Sequence, residues 1–128
     1  LFDSRQIPGE IVDLIAVRDS VLQTQPKAVQ ALLSGWFKAI DYLQREPADA
    51  VRRMALRQQT TGEQFLAGLQ GLHIPTRDEN LTMIGGASPS LVTSGRRLMN
   101  LMLDSKLLRK AVQIEALLEP RPLTGPAP

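Results

Sequence analysis

Between Pro26 and Arg45, apolar residues recur at steps of three and four: Val29, Leu32, Leu33, Trp36, Phe37, Ile40 and Leu43. Only an α-helix brings that spacing onto one face. Pro26 suits a first helical position, where its missing N–H has no intrahelical partner to lose. The spacing therefore predicts a helix over 26–45 lying on a core. Trp36 and Phe37 have the rings to stack on a ligand, but their spacing with Leu33 and Ile40 assigns them to that core.

Helical signals continue on both sides. Residues 19–24 suit a short helical turn. Pro47 opens another helix, with Val51, Met54 and Ala55 inward and Arg52, Arg53 and Arg57 outward. Thr60 with Glu63, and Thr61 with Gln64, each fit a capping box. A helix is expected from about 61 to Gly71, burying Phe65, Leu66 and Leu69. Gly68 inside it costs about 1 kcal/mol relative to Ala. Residues 72–87 are less regular, with one more capping box at Thr76 and Glu79 and a break at Gly85-Gly86. Ser88-Pro89 starts a long helix with Leu91, Val92, Leu98, Met99, Met102 and Leu103 on one side. A helical turn over 113–118 follows, and from Pro120 the Pro-rich tail reads as frayed, with 124–128 as a flexible end.

One segment breaks the pattern. Residues 10–17, Glu-Ile-Val-Asp-Leu-Ile-Ala-Val, form a compact apolar run rich in β-branched residues. Pro8-Gly9 marks a turn before it. The run reads as a buried strand. A lone strand cannot satisfy its backbone, so its sheet partners must come from missing chain or from another copy. The fold class expected is therefore mostly α, with one or two strands.

Composition excludes several functions. The chain has 128 residues, with 43% hydrophobic and 22% charged, enough for a core and too apolar for general disorder. The net charge is +2, which demands no nucleic acid. Acidic Glu46, Asp49 and Asp104 interleave the basic residues of the helices, as on a solvated face. With no cysteine there is no disulfide, thiolate metal site or cysteine nucleophile. His73 is the single histidine and has no partner for a metal site. Asp78-Glu79 and Glu115 with Glu119 sit where helix caps and solvated faces place acids. Gly85-Gly86 lacks the Gly-Lys-Ser/Thr continuation of a phosphate loop. No enzyme, cofactor or metal is expected. No run approaches the roughly 18 apolar residues that a membrane span requires.

Residues 60–81 carry an alternative. Helix, a turn with Gly71, then a capped start at Thr76 is the order of a helix-turn-helix DNA-binding module. The second helix, however, opens Arg77-Asp78-Glu79-Asn80, which sets two acids against DNA phosphates.

The ordered set of motifs resembles a known family. Leu-Phe-Asp-Ser-Arg-Gln-Ile-Pro-Gly-Glu-Ile-Val-Asp-Leu-Ile-Ala-Val-Arg at 1–18 is followed by the helix Pro26 to Leu43. Pro47-Ala48-Asp49-Ala50, Glu79-Asn80-Leu81 and Leu107-Leu108 come later. Together they are similar to the alkanesulfonate-, taurine-, nitrate- and thiamine-precursor-binding receptors of ABC importers, over about residues 1–123. The resemblance implies the C-terminal part of a two-lobed, type II α/β periplasmic-binding-protein fold. It implies capture of a small organic solute and docking to an ABC permease, in the periplasm or otherwise outside the cytoplasm, at the membrane through the importer. Asp3, Ser4, Ile7, Pro8 and Gly9 are then the ligand-binding candidates at the hinge and cleft edge. The start on Leu1 rather than Met adds the expectation that the native beginning is missing. Such a piece is expected to bind solute poorly and to self-associate through its unpaired strand.

Overall fold

A computed structural model describes residues 3–124. Among them every regular element is helical: α1 (Asp19–Thr24), α2 (Pro26–Arg45), α3 (Pro47–Arg57), α4 (Gly62–Leu69), α5 (Arg77–Ile84) and α6 (Ser90–Asp104). Short 3₁₀ turns cover Ser4–Gln6, Ile114–Leu117 and Arg121–Leu123. The expected flexible end at 124–128 lies outside the described residues beyond Thr124.

The helix boundaries follow from local chemistry. Pro26 and Pro47 stand at the starts of α2 and α3. Of the two overlapping capping boxes, Thr61 with Gln64 forms: each side chain takes the other's backbone N–H at 3.1 Å. Thr76 and Glu79 repeat the device at the start of α5. The C-termini of α3 and α6 close without glycine. Gln59 and Lys106 adopt left-handed φ of 56° and 58°. This lets Thr60 N–H reach the Ala55 carbonyl at 3.0 Å and Leu107 N–H reach Met102 at 2.8 Å, the bonds of a Schellman ending.

Two packing groups result. Val51, Ala55 and Phe65 are buried together between α3 and α4, with Leu43 of α2 and Leu69 packed against them. α5 packs on α6, and α6 on the turn at Ile114–Leu117. A β-carbon at Gly95 would lie 2.8 Å from Ile114 Cγ2, so only glycine permits this approach. The turn at Arg121–Leu123 joins the two groups, packing on both α2 and α5. Leu123 is buried there, and its carbonyl accepts a bond from Arg77 Nε at 2.8 Å.

The expected strand is absent. Residues 12–18 have no regular secondary structure, and no sheet exists among the described residues. The mixed α/β expectation, type II receptor fold included, is corrected to an all-helical one. The physical reason is that a strand is completed by a neighbour. No other described segment offers one, and Ile11, Leu14 and Ile15 stay 71%, 70% and 53% exposed. The core reading also shrinks. Trp36 is 46% exposed, and Leu32, Met54, Leu66 and Leu98 are exposed too, so the inward faces drawn from periodicity were too wide. The accessible surface of 10413 Å² is half as much again as the roughly 6,700 Å² expected of a compact monomer of this mass.

Candidate functional site

The segment expected to touch ligand is ordered by its own short-range bonds. Asp3 caps the first 3₁₀ turn, accepting from Arg5 N–H at 2.9 Å and from the Arg5 guanidinium at 2.6 Å. That side-chain bond holds the Asp3 carboxyl below its usual range. Ser4 begins the turn and is exposed, and its carbonyl accepts from Ile7 N–H at 3.1 Å. The Ile7 carbonyl accepts in turn from Glu10 N–H at 3.2 Å. Pro8 and Gly9 occupy the corner between them. Gly9 takes φ +77°, the left-handed value a type II turn asks of its third residue. Glu10 then forms an ion pair with Arg97 of α6, tying this segment to the far end of the chain.

The five candidates are thus brought together in two successive turns. Elsewhere, a shallow opening of ≈ 400 Å³ runs along α3 and the start of α4. Ala48, Val51, Ala55, Leu56 and Gly62 form its apolar wall, with Arg52 and Thr60 as its polar groups. Nothing in the sequence pointed there, since each of these residues has a helical or core role of its own.

Charge is organised at the corner between α2 and α3. Asp49, in the first turn of α3, accepts from Tyr42 of α2 and from Arg52 and Arg53 one turn on. These bonds, Tyr42 first, hold its carboxyl far below the ordinary carboxylate range. The same Tyr42–Asp49 bond raises the phenol, because ionising Tyr42 would place two negative groups together. Asp49 also faces the N-terminus of α3, where the helix dipole favours an anion. The arrangement staples the corner between α2 and α3 through three donors to one carboxylate. His73 Nε2 lies 3.3 Å from Glu79 Oε1, on an exposed surface. Among the described residues no group of His, Cys, Asp or Glu is arranged to hold a metal.

The helix-turn-helix segment does not assemble as a pair. α4 packs on α3, whereas α5 packs on α6 and on the turn at Arg121–Leu123. Residues 70–76 separate them, longer than the three- or four-residue turn of that motif. Among the described residues, no helix is long and apolar enough to cross a membrane.

No family model matches this chain. Neither a curated protein nor a solved structure matches it at a significant level either.

Proposed function

We propose that this chain takes part in capturing a small organic solute for delivery to an ABC importer, and that it performs no catalysis itself. The observation that carries the reading is the order of motifs along residues 1–123. A Ser-Arg-Gln-Ile-Pro-Gly turn leads through an apolar run to Arg18, and then to a helix running from Pro26 through Asp41-Tyr42-Leu43. The reading rests on that order and not on a sheet.

The site chemistry is compatible with it. A turn at Asp3–Gly9 offers a hydroxyl at Ser4 and backbone groups, the means by which receptors hold small polar ligands. The Asp3 carboxylate already answers Arg5, so it need not repel an anionic solute as a bare charge does. An exposed turn encloses little, and tight binding of a small molecule requires burying most of its surface. Capture therefore needs a second surface opposite this one, and the importer's permease is the proposed recipient.

Thermal shift of the protein as its gene encodes it tests this. Taurine, an alkanesulfonate, nitrate and a thiamine precursor are compared with a DNA duplex. Stabilisation by one solute, about 2.7 kcal/mol at a hundredfold excess over Kd, is expected, with none from DNA. Salt-sensitive stabilisation by DNA and none by any solute would contradict the proposal and favour the nucleic-acid alternative.

A further inference from the structure

We propose that residues 10–18 pair antiparallel with the same residues of a second copy of this chain. The segment is built for a partner it does not have. Among the described residues, positions 11–17 make no backbone hydrogen bond, although Ile, Val and Leu there favour a ladder. Ile11, Leu14 and Ile15 stand mostly in solvent. An open row of N–H and C=O groups beside apolar side chains is a template for strand addition.

Charge selects the occupant and the register. Placing Leu14 on the two-fold axis sets Glu10 opposite Arg18 of the second copy, twice by symmetry. Val12 faces Ala16 and Ile11 faces Val17. Centring on Asp13 would oppose two like charges, and centring between Leu14 and Ile15 would set Glu10 against Asp19. If Leu14 forms the non-hydrogen-bonded pair, the ladder bonds fall at 11, 13, 15 and 17. Glu10 N–H then keeps its bond to Ile7, and the Arg18 carbonyl keeps the bonds it accepts from Val21 and Leu22. No existing backbone bond has to break, and the Glu10 carboxylate, which holds Arg97 through Oε1, has Oε2 to offer Arg18 of the second copy.

Sedimentation velocity of the whole chain over a dilution series tests the pairing. A monomer–dimer equilibrium is expected, with an extended-strand amide I signal that grows with dimer fraction. Leu14→Lys, which sets two cations on the axis, should leave a monomer with unchanged helical circular dichroism. Glu10→Arg and Arg18→Glu should each weaken the dimer roughly tenfold or more. Mixing these two variants should restore it, because the heterodimer regains both opposite pairs. Arg97→Gln, which removes only the intrachain partner of Glu10, should leave association unchanged. A monomer at every concentration would overturn the proposal. So would a dimer indifferent to Leu14→Lys, or one that mixing fails to restore.

Discussion

The α3–α4 hairpin and the segment 11–17 are both apolar, yet one is packed and the other stands in solvent. Val51, Ala55 and Phe65 are buried together across two helices that adjoin in sequence. Each helix there satisfies its own backbone, and a capping box closes the join at Thr61. Residues 11–17 are the more apolar stretch, with Asp13 their one polar side chain, but a strand's hydrogen bonds lie outside itself. The difference teaches that a helical signal can be honoured locally, whereas a strand signal is a demand on some other segment.

The sharpest way to break this comparison is to remove the ring that fills the hairpin. Phe65→Ala should cost about 3–5 kcal/mol, the usual loss for a buried aromatic. With so few buried residues around it, α3 and α4 should melt well below the rest of the chain. Amide exchange or a thermal melt checks this.

A smaller effect is expected at the corner that joins the hairpin to α2. The Asp49 carboxyl titrates lower in the folded chain than in the unfolded one. Its contribution is complete above the ordinary value of 3.8 and is lost as pH falls from there through the folded value. The melting temperature should therefore drop on acidification below 3.8, and drop less in Asp49→Asn, which starts lower. Identical acid profiles for the two proteins would remove the corner staple from the account.

Thr61→Ala should cost about 1 kcal/mol through loss of the cap. Gly68→Ala should add about 0.5–1 kcal/mol, since nothing lies within 4 Å of the new β-carbon and the unfolded chain loses freedom. Smallest of all is Leu14→Ser, measured in dilute solution. It should change stability by less than about 0.5 kcal/mol, because an exposed side chain loses no packing. A large loss there would mean that the run is buried after all.

These contrasts also mark how far the sequence could be read. The starts of α2, α3, α4 and α5 were legible because proline and the Thr–Gln and Thr–Glu pairs act within one turn. The ends of α3 and α6 were not, because Gln59 and Lys106 do the work usually given to glycine. The inner halves of the apolar stripes were legible, and the outer edges at Leu32, Trp36 and Leu98 were not. Periodicity shows which way a face points but not whether anything covers it. The need for glycine at 95 has no local signature, because its reason, the approach of Ile114, is tertiary. For the candidate site, the turn at Pro8-Gly9 was readable from its residue types. The ion pair that anchors it, Glu10 with Arg97, spans most of the chain and left no local trace.

Hydrogen–deuterium exchange on the chain at its lowest workable concentration tests the central claim, that residues 11–17 are an unpaired apolar segment beside a helical body. The amides of 11–17 should exchange at nearly the rate of free peptide, while those of α2, α3 and α4 are protected. Protection of 11–17 equal to that of the helices, unchanged on further dilution, would contradict it, because the chain would then be supplying the strand with a partner of its own.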